Sequence, residues 1–199
     1  MKTGLQVPGA PMIILLMSTA FALTLTSGCL EAEDGEDCFS ALSEHSVVDD
    51  IVDDMEGDHE LVTVTGLEPG KNGRARFWKF AYNNVTSGAA LSSVMVTVDI
   101  NGNVDMTTGE PLAKTPVRNL SIDSTSAYIA ARSYLIEDEV ISEDTRVTVI
   151  FIYLLGDHPD NRGCDWTIGL ILGSEQPVEV TARIDGNTGE VMSIVITKE

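Results

Sequence analysis

Val94-Met95-Val96-Thr97-Val98-Asp99-Ile100-Asn101-Gly102-Asn103 aligns without a gap on Val178-Glu179-Val180-Thr181-Ala182-Arg183-Ile184-Asp185-Gly186-Asn187, with six of ten positions identical. Both stretches alternate apolar and polar residues and end in a Gly-Asn turn, so each reads as a strand running into a turn. A second match, Asp105-Met106-Thr107-Thr108-Gly109-Glu110 with Asp185-Gly186-Asn187-Thr188-Gly189-Glu190, shares Asp-x-x-Thr-Gly-Glu. It sits in a different register. The second register is preferred here, because it superimposes a turn with a physical mechanism. Either way, an internal repeat is expected.

Working outward, each half reads as a helix followed by strands. Ala41, Val48, Val52 and Met55, with Val47 and Ile51 alongside, make an apolar stripe at helical spacing, and Glu44, Asp49, Asp50, Asp53 and Asp54 cover the other face. Strands are expected over 60–65, 74–82 and 92–100, with Gly66–Gly73 as a turn region. Phe77, Lys79 and Ala81 should face one way, and Trp78, Phe80 and Tyr82 the other, toward a core. In the second half, Asp123 or Ser121 can cap a helix that buries Ala127, Ala130, Ala131, Tyr134 and Leu135. Strands follow over 146–155, 166–172, 178–185 and 191–197. The run Val149–Leu155 is apolar on both faces, which suits a central strand covered on both sides. The expected class is α+β, with two repeated helix-plus-antiparallel-sheet units, 39–112 and 121–199, joined by a linker over 113–120.

The final hairpin, Arg183-Ile184-Asp185-Gly186-Asn187-Thr188-Gly189-Glu190-Val191, together with the alanine-rich helix entered from Ile122-Asp123-Ser124, resembles the PepSY domain family. The likeness covers 121–198 and, more weakly, 39–112, as a tandem pair. Its turn motif falls on Asp185, Thr188, Gly189 and Glu190, and in the first half on Asp105, Thr108, Gly109 and Glu110. The resemblance implies a cystatin-like helix-on-sheet fold and binding to, or restraint of, a peptidase or another envelope protein. It supplies no catalytic residues.

Residues 1–28 read as an export signal: Lys2 is the one charge, and an apolar run extends from Met12 to Leu25. About 14 residues are too few for a bilayer span but suit a signal segment. Thr26-Ser27-Gly28-Cys29 resembles a lipobox, in which Cys29 is lipidated and becomes the new N-terminus. The usual aliphatic residue three places before the cysteine is Thr26 here, so an uncleaved membrane anchor is the alternative. Both place the remainder on the extracytoplasmic face, with 29–38 as an acidic tether. Cys38 and Cys164 are then an even pair and candidates for a disulfide.

The chain has 199 residues, 12 basic and 31 acidic, for a net charge of −19. A nucleic-acid partner is excluded, because phosphates need a basic face. No nucleophile motif, phosphate loop or dinucleotide fingerprint occurs, so no enzymatic activity and no cofactor are expected. The expected function is a non-enzymatic protein-binding module held at a membrane. The alternative is a calcium- or small-ligand-binding lipoprotein using Asp99–Glu110, where Asp99, Asn101, Asn103, Asp105 and Glu110 approximate a calcium loop, although Val104 stands where glycine is needed. His45 with Asp49, and Asp157-His158-Pro159-Asp160 with Asp165, are incomplete ligand sets.

Overall fold

The computed structural model describes residues 38–156, 163–173 and 177–197. The export signal, Cys29, the tether before Cys38 and the Asp157–Asp160 loop lie outside the described residues. The elements, in order, are α1 (Ala41–Asp53), β1 (Asp58–Pro69), a 3-10 turn (Lys71–Gly73), β2 (Ala75–Thr86), β3 (Ala89–Asp99), β4 (Val104–Gly109), α2 (Ser124–Glu137), β5 (Val147–Leu155), β6 (Asp165–Leu172), β7 (Val178–Asp185) and β8 (Val191–Thr197).

All eight strands form one antiparallel sheet in the order β4-β3-β2-β1-β5-β6-β7-β8. This overturns the expectation of two helix-plus-sheet units with an α+β character. The described residues form mostly a single continuous sheet carrying two short α-helices. The continuity comes from β1 and β5, which pair directly through Thr63↔Leu155, Val64↔Leu154, Thr65↔Tyr153 and Gly66↔Ile152.

Period-2 alternation divides the sheet into two faces. Trp78, Phe80, Val64, Val96, Ile152, Leu154, Trp166, Ile168, Leu170, Ala182 and Ile184 point to the helices and are buried. From α1, Ala41, Val48 and Val52 close this core, and from α2, Ala127, Tyr128, Ala131 and Leu135 do so. Tyr134, expected inside, is 39% exposed. The buried stripe runs 128, 131, 135, and Tyr134 falls off its edge.

At the centre of the core Trp78 and Trp166 meet edge to face, with ring centroids 6.2 Å apart. Each indole N–H donates to the backbone entering a helix: Trp78 Nε1 to the Phe39 carbonyl at 2.8 Å, and Trp166 Nε1 to the Ile122 carbonyl at 2.7 Å. The helix starts also touch each other. One Asp123 carboxylate oxygen accepts from the Ser124 N–H at 2.8 Å and from the Leu42 N–H at 2.9 Å, while Ser124 Oγ accepts from the Ala41 N–H at 3.1 Å. A single aspartate thus caps both helices.

Asp50, Asp53 and Asp54 of the α1 face are exposed, so the pairs Asp49/Asp53 and Asp50/Asp54 repel across one helical turn. Screening relieves this. The melting temperature should therefore rise between low and molar sodium chloride, and equal values would refute the electrostatic account.

Candidate functional site

The second face of the sheet carries no helix among the described residues. The strand pairings place Thr97, Lys79, Thr65, Tyr153, Thr167 and Arg183 in one row across six strands. On either side lie Met95, Ala81 and Leu155, and then Phe77, Leu67 and Phe151. Most are half-buried by one another. The Phe151 and Tyr153 rings stack with centroids 5.8 Å apart. Phe151 lies across Gly169, where an added Cβ would be 2.3 Å from its ring. The glycine supplies the flat ground on which the aromatic rests. The Arg76 guanidinium stands 5.7 Å from the Phe77 ring centroid, within cation–π range, and also reaches Glu68 at 3.6 Å. A solvated antiparallel face is normally polar; this one is aromatic and aliphatic with a threonine row. The apolar run of β5 explains part of it. That strand is central, as read, but no described helix lies over Phe151, Tyr153 and Leu155, which corrects the expectation of cover on both sides.

One buried charge interrupts this face. Asp165, 2% exposed, takes a direct hydrogen bond from the Arg183 guanidinium on the neighbouring strand. The pair neutralises a carboxylate that would otherwise be costly to bury.

The other residues singled out in the sequence are dispersed. Asp99 Oδ1 accepts from the N–H groups of Asn101 and Asn103, both at 2.8 Å, and its second oxygen accepts from Asn103 Nδ2 at 2.7 Å. These bonds, the Asn103 side chain foremost, hold its carboxyl below the usual carboxylate range. Asp105 and Thr108 lie within β4, and Glu110 follows its far end, about 20 Å along the strand from the Asp99 turn at ~3.4 Å per residue. The calcium-loop reading therefore loses its ligand ring, because its oxygens are strung along an extended strand. No group of three or more His, Cys, Asp or Glu side chains able to hold a metal occurs among the described residues.

The turn motif behaves differently in its two occurrences. Asp185 Oδ1 accepts from the N–H groups of Asn187 and Thr188 at 2.8 Å, and Gly189, at φ +77°, donates to the Asp185 carbonyl at 2.9 Å. Asp105, Thr108 and Gly109 instead form strand, paired with Thr97, Val94 and Ser93. The residue with the job of Asp185 is Asp99, which closes the turn after β3, so the preferred register is corrected.

His45 Nδ1 lies 3.3 Å from Asp49 Oδ2, and Asp49 Oδ1 accepts from the Tyr82 hydroxyl at 2.8 Å. Burial, then the bond to Asp49, pushes the Tyr82 phenol far above its ordinary value, so it stays a donor. The trio ties α1 to β2.

Cys38 and Cys164 are both buried, and no disulfide joins them. Cys38 precedes Phe39, which pairs with Ala75 opposite Pro69, whereas Cys164 precedes Asp165, which pairs with Leu155 opposite Thr63. That register separates them by about 20 Å along β1 at ~3.4 Å per residue, and a disulfide needs Cα atoms within about 7 Å. Burial, with the Asp165 and Asp185 charges, pushes the Cys164 thiol up to about 12. An unfolded thiol ionises near 9. Stability from this group is therefore whole below pH 9 and is lost as pH rises toward 12. At pH 8 a thiol reagent should leave Cys164 unmodified until denaturant is added; rapid reaction in the folded protein would contradict this.

No described helix is long and apolar enough to cross a membrane. No family model matches the chain, so the PepSY resemblance rests on the quoted residues alone, and no curated protein matches it. Among solved structures, the chain is similar to a protein designated a lipoprotein from Clostridium difficile 630, with a TM-score of 0.48 and 12% identity over 79% of this chain and 93% of that one.

Proposed function

We propose that this chain is an exported protein, held at the extracytoplasmic face of a membrane by a lipid on Cys29, whose folded part is a non-enzymatic module that binds another envelope protein. The observation that carries the binding role is the sheet face that no described helix covers, where Phe77, Leu67, Phe151 and Tyr153 occupy positions that water-facing strands give to polar side chains. Beside it, edge strand β8 carries no charge from Val191 to Thr197 and exposes Met192, Val195 and Ile196. Among the described residues no strand pairs with its outer edge, which suits strand addition. A peptidase is the partner class that the PepSY resemblance suggests. The signal segment ahead of Cys29 supports the address.

The test is crosslinking in the native envelope, followed by purification and mass spectrometry that also weighs the N-terminal peptide. A reproducible protein partner and a diacylated Cys29 peptide are the expected results. Phe151→Thr with Tyr153→Thr, which keep the β propensity of a central strand and bury no charge, should abolish partner recovery while the protein still melts cooperatively. Recovery of the chain alone under several crosslinkers would defeat the binding reading, and an unmodified Cys29 would defeat the lipid anchor.

A further inference from the structure

Acidic residues outnumber basic ones 31 to 12, so a basic side chain in this protein should normally find a carboxylate beside it. One cleft departs from that. It lies between α2, the 3-10 turn and the start of β5, has a volume of about 380 Å³, and is lined by Lys71, Arg132 and Arg146 with Asn72, Ser133, Thr145 and Tyr128 among its other groups. Its lining contains no aspartate or glutamate. Among the described residues no ion pair engages any of its three cations, whereas Arg76 and Arg183 are paired with Glu68 and Asp165.

The cleft is also held open by its own scaffold. Gly73 packs against the Ser124 carbonyl and Tyr128, fixing the 3-10 turn to α2. Arg132 donates through one terminal nitrogen to the backbone carbonyl of Glu143, which holds the guanidinium in place without neutralising it. A guanidinium has five N–H donors, so others stay available. Asn72, Ser133, Thr145 and Tyr128 add neutral donors around the cations.

We infer that this cleft is a binding site for a phosphoryl group. A carboxylate offers two oxygens and one negative charge. Two guanidinium groups and an ammonium around one space match a dianion with at least three oxygens. The volume is at the lower end of that of small-ligand sites. The inference stands apart from the docking role of the opposite sheet face, and neither depends on the other. The phosphoryl group can come from a soluble phosphorylated compound or from a lipid headgroup.

Calorimetry on the full chain in non-ionic detergent separates these, with inorganic phosphate, glycerol phosphate, short-chain phosphatidic acid and, as a phosphate-free control, short-chain diacylglycerol. Saturable binding of phosphate or glycerol phosphate identifies a solute site, and binding of phosphatidic acid alone identifies a headgroup site. In either case Lys71→Gln with Arg146→Gln, both at exposed positions, should weaken binding at least tenfold. Arg132→Gln should do the same, and Lys79→Gln, on the opposite sheet face, should change it less than twofold. No binding of any phosphate compound at ten-millimolar concentration, binding unchanged in the Lys71/Arg146 variant, or equal binding of diacylglycerol would overturn the inference.

Discussion

Trp166→Ala should destabilise the protein by about 4 kcal/mol, the range for truncating a buried aromatic in a core that cannot close over the gap. The side chain has no solvent exposure and packs edge to face on Trp78, a contact contributing about 1 kcal/mol beyond the buried area. Its N–H is the donor to the Ile122 carbonyl just ahead of α2. Alanine therefore opens a cavity and also leaves a partly buried carbonyl without its donor, which costs about 1 kcal/mol or more. Urea denaturation followed by far-ultraviolet circular dichroism measures the loss. Trp166→Phe, which keeps most of the volume but not the donor, should lie well below half of it. A loss under about 1.5 kcal/mol for the alanine variant would mean that the two indoles do not hold the core together in the way described.

Gly73→Ala carries the second large effect, although it adds one carbon. Gly73 has φ +72°, where an alanine costs about 1–2 kcal/mol. A Cβ there would lie 2.4 Å from the Ser124 backbone carbonyl and 2.7 Å from Tyr128 Cβ. Neither obstacle is the movable end of a side chain. The 3-10 turn must withdraw from α2, so a total of about 3 kcal/mol is expected from strain and overpacking together. Gly88→Ala supplies the comparison: it has φ +80° with open space around the added carbon. The difference between the two variants isolates the contact with α2, and equal losses would show that only the backbone angle matters.

Much of the strand content was legible because half-buried strands alternate. Val178–Asp185 and Val191–Thr197 were read with the bounds the structure gives, and Trp78, Phe80 and Tyr82 were assigned to the core that holds them. The misses have physical causes. The local pattern places Gly66 in a turn, yet β1 runs on to Pro69. Gly66 is a glycine because a Cβ would meet Ile152, Ala75 and Trp78 at 2.7–3.0 Å, a packing reason that composition does not reveal. β4 is hidden in the sequence because Asp105–Glu110 repeats the Asp-x-x-Thr-Gly-Glu of the final turn, and its six exposed residues add no buried face to outweigh that likeness. The continuity of the sheet depends on pairing between residues roughly ninety positions apart, and local pattern says nothing about such partners. Of the sites, the aromatic strand 77–82 and its core side are visible in the sequence, but the aromatic character of its other face is not, since Phe77 meets Leu67 and lies in line with Phe151 only through pairing with distant strands. The cationic cleft draws Lys71, Arg132 and Arg146 from three separate elements, so no spacing could have announced it.

The β1–β5 seam also sets the order of assembly. Strands β1 to β4 are neighbours in sequence as well as in the sheet, as are β5 to β8, so their pairings form from nearby chain and need little loop closure. The four pairs between β1 and β5 must wait until the intervening chain has been brought round, which makes them the slow step by topology. Until then Val62 and Val64 on one strand and Ile152 and Leu154 on the other stand at open edges. The refolding yield should therefore fall with rising protein concentration during that interval, when two copies can zip together along the edges that one copy alone must close.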